Sequence, residues 1–166
     1  ALLSCLCSAW FYSGALPVAK LLGAVTFSAA LTLIVLLGGE LFTGCNLVMG
    51  VSLYENQVSP AGALRVWIMS YLGNLAGILA LCLVLVGSGA SADLLGAYLA
   101  VIVPGKLSLP WYVLLLRGVL CNFLVCIGVF AGFRLQSETG KALVIALAIT
   151  TFVLTGLAHS IANMAY

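Results

Sequence analysis

The residues of this sequence that could do chemistry form two small clusters within apolar surroundings. His159 is the only histidine, and an imidazole that titrates near neutral pH can lend a proton to the anion of a weak acid. Thr43 and Ser160 carry hydroxyl groups, and each is followed three residues later by an asparagine, Asn46 or Asn163. The alternative for an isolated histidine is a satisfied core residue, but an ionisable group inside a membrane is a functional candidate by default.

The composition indicates a protein that is built for lipid. Hydrophobic residues make up 64% of the 166 residues and charged residues 6%, whereas a soluble domain has roughly 25% charged residues. The charges are scattered singly, so the net charge of +2 is no argument for a nucleic acid or an acidic protein partner. No CxxC pair occurs, and we interpret the six cysteines as small buried side chains rather than metal ligands or disulfides. No metal or cofactor is expected.

Charge-free runs predict the membrane spans. Four such runs cover residues 21–39, 66–92, 118–133 and 142–158, and a crossing helix needs about 20 apolar residues. Residues 1–14 resemble the tail of an earlier span, and the run at 118–133 can be extended back towards Trp111. Short loops are expected at 54–65, 87–110 and 134–141. The abrupt ends led us to interpret the chain as a fragment, and the Lys and Arg count does not orient it.

Two of these spans are predicted to be interrupted. The alignment that pairs Gly39 with Gly156 also pairs Thr43 with Ser160 and Asn46 with Asn163. Glycine lets the backbone leave helical geometry, and hydroxyl and amide side chains can satisfy the freed backbone groups. Paired interruptions in corresponding halves indicate a transport site near the midplane, where helix N-termini favour anions. The alternative is that small residues merely let helices pack closely.

Three stretches resemble signatures of the formate/nitrite transporter family. They are Gly-Glu-Leu-Phe-Thr-Gly at 39–44, Arg-Gly-Val-Leu-Cys-Asn at 117–122 and His-Ser-Ile-Ala-Asn-Met at 159–164. Their order and separation also fit the family, and the resemblance covers essentially the whole chain.

This resemblance implies an all-α integral membrane fold, an aquaporin-like bundle with two interrupted helices in inverted halves. Family members have six spans and assemble as pentamers with one pore per subunit in the cell (inner) membrane. Residues 1–166 would form one partial transmembrane domain, from the end of span 1 through the break in span 5, without span 6. The 54–65 and 134–141 loops would be cytoplasmic.

The resemblance also assigns residues. The substrate pathway would contain the central histidine, a threonine, an asparagine and an outer lysine, at His159, Thr43, Asn122 and Lys106. Apolar constrictions would lie outside the histidine at Phe27 and Phe152, and inside it at Leu31, Leu41 and Phe42. The helix-break residues would be Glu40, Gly44, Asn46, Ser160 and Asn163. The family usually has a glutamate directly before the histidine, where this chain has Ala158, which puts in doubt how the histidine is held.

The resulting hypothesis is a channel or transporter for small monovalent anions or their conjugate acids, namely formate, nitrite, hydrosulfide or a short monocarboxylate. His159 would assist by protonation, because a neutral acid crosses an apolar constriction more easily than an ion. A water or neutral-solute channel is an alternative, although no Asn-Pro dipeptide of the aquaporin type occurs. A non-transporting truncated homologue is another. No paired carboxylates or nucleophile motif favours a membrane enzyme.

Overall fold

A computed structural model describes residues 16–89 and 92–164, which form α-helices joined by short connections. The expected tail of an earlier span at 1–14 lies outside the described residues. In chain order the helices are α1 (Leu16–Leu36), α2 (Phe42–Tyr54), α3 (Pro60–Gly87), α4 (Ala92–Leu107), α5 (Trp111–Arg134), α6 (Glu138–Leu154) and α7 (Ser160–Asn163). No strand occurs among the described residues.

The first break separates α1 from α2. Gly38 adopts a positive φ of 70°, and the Gly39 amide turns back to donate to the Ile34 carbonyl at 2.7 Å. This backward bond satisfies a carbonyl that the end of α1 leaves free. The chain then runs extended through Leu41, which has φ −125° and ψ 129°, before α2 begins at Phe42.

The second break repeats this geometry between α6 and α7. Gly156 has a positive φ of 75°, and the Leu157 amide donates back to the Phe152 carbonyl at 3.1 Å. His159 is extended, with φ −83° and ψ 118°, and α7 begins at Ser160. The prediction of two interrupted helices is therefore confirmed.

The register of the two breaks differs by one residue from the predicted alignment. Gly38 and Gly156 are the glycines with positive φ at the two helix ends, and Leu41 and His159 are the residues that precede α2 and α7. Gly39, which the predicted alignment pairs with Gly156, follows the turn residue Gly38. The predicted alignment matched side-chain types. In the structure the equivalent positions of the two breaks are the turn glycine and the extended residue before the next helix.

Alanine at Gly156 is expected to destabilise the protein by about 1–2 kcal/mol, since an L-residue in the left-handed region costs that much. The strain is conformational, because a Cβ at Gly156 would meet nothing within 4 Å. Gly73 is a matched control, because it lies inside α3 with equally open space. Thermal unfolding in detergent should show a lower midpoint for G156A than for G73A. Equal midpoints for the two variants would contradict the assigned backbone.

The connection predicted as a loop at 87–110 is wrong in one respect, because α4 occupies Ala92–Leu107. Pro104 lies inside this helix and Gly96 and Gly105 also belong to it. The abundance of glycine and proline led to the prediction of a loop. Neighbouring groups in a membrane bundle can satisfy the backbone that a proline frees, so a proline is tolerated there.

In the part of the chain that the structure describes, two helices, α3 and α5, are long and apolar enough to cross a membrane. The extension of the 118–133 run back to Trp111 is confirmed, because α5 begins there. The two breaks end α1 at Leu36 and α6 at Leu154, and each interrupted helix continues in a shorter second piece, α2 or α7. An interrupted helix crosses in two pieces that must meet inside the protein.

The core lies where α1, α5 and α6 pack together. Its buried apolar members are Phe27, Leu31, Cys121, Val125, Val129, Ile145, Ile149 and Phe152. Helix α2 packs between α3 and α5, and α7 contacts α2 and α3. The bundle thus brings the start of α2 against the start of α7, which is the arrangement that the candidate site requires.

Candidate functional site

His159 lies at the start of α7 and is 4% exposed. Its Nδ1 accepts a hydrogen bond from the Ala162 amide at 3.2 Å, so the side chain caps its own helix. A nitrogen that accepts from a backbone N–H carries no proton, and we therefore assign the neutral ring as the tautomer with its proton on Nε2. Nε2 is then available as a donor.

Thr43, which lies at the first break, accepts a hydrogen bond from this Nε2 donor. Its Oγ1 lies 3.4 Å from His159 Nε2, and the residue is 3% exposed. Thr43 belongs to the first turn of α2 and His159 precedes the first turn of α7. The predicted meeting of the two interruptions through a hydroxyl and an imidazole is therefore present in the structure.

Three rings close the site on one side. The Phe27 and Phe152 centroids are 5.9 Å apart in an edge-to-face arrangement. Phe27 also meets His159 edge-on at 5.9 Å, and Phe152 stacks on the imidazole at 5.6 Å with an interplanar angle of 29°. The predicted aromatic pair thus contacts the histidine directly, with Phe152 1% exposed and Phe27 7% exposed.

A cavity of about 450 Å³ lies beside the first break. Leu31 and Leu41 line it, as do Cys45 in α2 and Val129 in α5. Glu40, Glu138 and Lys141 also line it, and Lys141 Nζ forms an ion pair with Glu138 Oε1 at 2.7 Å. The cavity therefore joins the first break to the end of the bundle where α5 leads into α6.

Phe42 occupies a different place from Leu31 and Leu41, its two companions in the predicted inner constriction. Its ring lies edge-to-face against Tyr71 of α3, with centroids 5.3 Å apart. The side chain is half-buried and is not part of the cavity lining. Its position is that of a residue that packs α2 against α3.

The two predicted asparagines Asn46 and Asn122 bond to each other. Asn46 Nδ2 donates to Asn122 Oδ1 at 3.2 Å, and Asn122 Nδ2 donates to Cys126 Sγ at 3.5 Å. Asn122 thus ties α5 to α2, while the contact to the imidazole is made by Thr43. The family resemblance assigns Asn122 to the same substrate pathway as His159 and Thr43, and that role stays a prediction.

Basic side chains contact the second break. Lys106 Nζ of α4 donates to Asn163 Oδ1 at 2.7 Å. Arg117 Nη1 of α5 donates to the Gly156 carbonyl at 3.5 Å. A Cβ at Gly118 would lie 3.8 Å from the Ala158 carbonyl, so α5 passes close to the break. Arg117 and Gly118 therefore lie against the segment before His159, where position 158 is an alanine, whereas Lys106 contacts the end of α7.

A model of the formate/nitrite transporter family matches residues 1–166. The chain belongs to this family. It is 33% identical to the uncharacterized transporter YwcJ of Bacillus subtilis, over 93% of this chain and 61% of that protein. It is 32% identical to the formate channel FocA of Haemophilus influenzae, over 87% of this chain and 52% of that protein. It is 31% identical to the nitrite transporter NirC of Salmonella typhimurium, over 84% of this chain and 52% of that protein.

Solved structures of formate/nitrite transporters share the fold. A pentameric formate channel with formate bound matches with a TM-score of 0.83 at 30% identity, over 99% of this chain and 65% of that one. An FNT family ion channel matches with a TM-score of 0.81 at 29% identity, over 99% of this chain and 70% of that one. The fold predicted from the sequence is therefore confirmed. The chain spans about half to three fifths of the length of these curated relatives.

The remaining predicted break residues of this transporter-family chain lie in or beside the two interruptions. Ser160 is the exposed first residue of α7, and Gly44 in α2 approaches Val129, which a Cβ would meet at 3.7 Å. Glu40 Oε2 accepts a hydrogen bond from Cys45 Sγ at 3.1 Å. Within residues 16–89 and 92–164, no three His, Cys, Asp or Glu side chains converge as metal ligands.

The sequence analysis missed Asn74, which bonds to the first break of this transporter fold from α3. Its side chain contacts the backbone of Glu40 and of Phe42. The available signal was an amide inside the charge-free run at 66–92, because polar side chains inside a membrane are costly and seldom without a role.

Proposed function

We propose that this protein forms a transmembrane pore for small monovalent anions or their conjugate acids, namely formate, nitrite, hydrosulfide or a short monocarboxylate. The observation that carries the proposal is the buried His159 Nε2 donor, which meets Thr43 where the two breaks converge. A preorganised donor in an apolar, water-poor site stabilises negative charge more strongly than the same donor does in water. The relatives named formate channel and nitrite transporter support this substrate class.

The pathway has three parts in this proposal. Lys106 and the helix N-termini attract the anion to the outer mouth. The rings of Phe27 and Phe152 then remove its water, and His159 Nε2 donates a hydrogen bond to the bare anion. On the other side the anion enters the cavity past Leu31 and regains water there. The desolvation cost at the rings sets the barrier, because an ion without its hydration shell is far costlier in an apolar site than a neutral acid.

Protonation by His159 is coupled to the second break in this proposal. A neutral imidazole can share its Nε2 proton in a hydrogen bond, but only an imidazolium can give a proton away and become a neutral ring. The imidazolium carries a second proton on Nδ1. This proton then faces the Ala162 N–H, from which Nδ1 of the neutral ring accepts a hydrogen bond. Full proton transfer to the anion therefore requires the start of α7 to give up its cap.

We also propose a homopentamer in the lipid bilayer of the cell (inner) membrane. A pentameric formate channel is among the structures that share this fold, and α3 supports the proposal by its composition and exposed apolar surface. In such an assembly the pore lies within each subunit, since His159 and its partners all belong to one chain. The 54–65 and 134–141 loops face the cytoplasm in this arrangement.

A truncated homologue that does not transport is the second candidate, and the chain spans 61% of YwcJ and 52% of FocA. Expression of this chain beside a version extended to six spans separates the candidates. Equal flux from both would reject the truncated homologue, and flux from the extended version alone would favour it.

Uptake into proteoliposomes tests the proposed substrate class. Formate, nitrite, hydrosulfide and lactate should each enter faster than glycerol, and lowering the external pH should speed the entry of formate because more of it pairs with a proton at the histidine. Empty liposomes at each pH correct for passage of the neutral acid through the lipid. Glycerol uptake equal to formate uptake would instead favour the water or neutral-solute channel.

A further inference from the structure

Asn74 lies near the middle of α3, and its side-chain amide forms two hydrogen bonds to the first break. Its Oδ1 accepts from the Phe42 amide at 3.0 Å, and its Nδ2 donates to the Glu40 carbonyl at 3.2 Å. These groups belong to the peptide units directly before and directly after Leu41. A single side chain therefore fixes both peptide planes that orient Leu41, a residue of the cavity lining.

The two breaks obtain their helix caps in different ways. The first amides of any helix lack partners within it, and in a membrane an unsatisfied amide is costly. His159 caps α7 with its own Nδ1. The corresponding residue before α2 is Leu41, whose side chain forms no cap hydrogen bond. Asn74 supplies the missing acceptor from another helix.

A second contact from the same face of α3 supports this role. Tyr71 lies one turn before Asn74 and packs edge-to-face on Phe42, the first residue of α2. The amide thus holds the backbone at Phe42 while the ring holds its side chain. Since Thr43 follows directly, the same contacts fix the turn that carries the hydroxyl bonded to His159.

We propose that Asn74 is a positioning residue that sets the selectivity of the pore, by holding Leu41 at the inner end of the pathway and the first turn of α2 beside His159. This inference rests on the proposed function and adds to it the residue that maintains the inner constriction. Loss of either hydrogen bond lets Leu41 move, and the constriction then admits larger uncharged solutes along with the anion.

The test compares formate and glycerol uptake in proteoliposomes for N74D, N74L and a control. At about pH 3, below the usual pKa of aspartate, a protonated carboxyl in N74D can accept from the Phe42 amide and donate to the Glu40 carbonyl, whereas at about pH 8 a carboxylate can only accept. The formate-to-glycerol ratio of N74D should fall about fivefold more than that of the unmodified protein over this range, the change expected for one net hydrogen bond. N74L should show a reduced ratio at both pH values.

The control is L72A, because Leu72 lies on α3 but is 52% exposed, and its ratio should match the unmodified protein. Combination of N74L with Leu41→Ala should lower the ratio no further than Leu41→Ala alone, since both changes act on one constriction. The N74D comparison uses one folded sample, so it decides the question even when N74L does not assemble. If the unmodified protein transports formate and the formate-to-glycerol ratio of N74D equals that of the unmodified protein at both pH values, this inference alone is overturned. Absence of formate flux in the unmodified protein would overturn the proposed function as well.

Discussion

Replacement of His159 by phenylalanine is expected to lower formate flux by roughly 10- to 100-fold, because a hydrogen bond to a charged group contributes about 1.5–3 kcal/mol. The new ring can still fill the space between Phe27 and Phe152, but it has no donor for the anion or for Thr43. The pH dependence of flux above that of empty liposomes should also disappear, because no titratable group remains at this position. Uptake measured over a pH series in proteoliposomes checks both effects.

The matched variant H159N separates the titrating ring from the helix cap. Asparagine is a favoured residue at a helix N-terminus and can accept from the Ala162 amide as the imidazole does. H159N should therefore keep the fold of the second break while it loses the pH dependence. Unaltered pH dependence in both variants would remove His159 from the mechanism, whereas loss of assembly in H159F alone would show that the cap matters to folding.

Replacement of Phe27 by alanine is expected to raise glycerol flux at least about tenfold, the effect of ~1.4 kcal/mol off the barrier. Phe27 contacts both Phe152 and His159 edge-on, so its removal opens the ring cluster to water and to uncharged solutes. Formate should then pass with more of its hydration shell, and the formate-to-glycerol ratio should fall. Stopped-flow light scattering with glycerol, together with formate uptake, measures the ratio.

A suitable control for F27A is F123A, since Phe123 belongs to α5 and is 63% exposed. Truncation of a buried aromatic ring also costs about 3–5 kcal/mol of stability, so the two variants should be compared at equal amounts of folded protein. Glycerol flux that is unchanged in F27A, in protein shown to be folded, would mean that the rings do not form the barrier.

The interrupted helices could be predicted because their cause is local. Glycines, hydroxyls and amides inside apolar runs mark where a helix stops being helical, and the structure places breaks at both predicted sites. The one-residue error in their alignment arose because Thr43 and Ser160 look equivalent as side chains. Backbone equivalence depends on Gly38 and Gly156, whose positive φ values cannot be read from residue types alone.

Contacts between distant helices were harder to predict. Asn74 is separated from Phe42 by more than 30 residues, and only the packing of α2 on α3 brings them together. The interaction of Asn122 with Asn46 has the same origin. In contrast, the cluster of Phe27, Phe152 and His159 was foreseen through the resemblance to a known family, and the structure brings these rings together.

In the proposed mechanism His159 faces the route of the anion, and nitrogen NMR of the imidazole tests this placement most directly. The chain has one histidine, so protein labelled with nitrogen-15 at histidine gives a single pair of ring signals without assignment. In lipid bilayers these signals should report a neutral ring protonated on Nε2, and titration with formate should shift the Nε2 signal saturably while glycerol leaves it unchanged. Ring signals that do not respond to formate, in protein that transports it, would contradict the account.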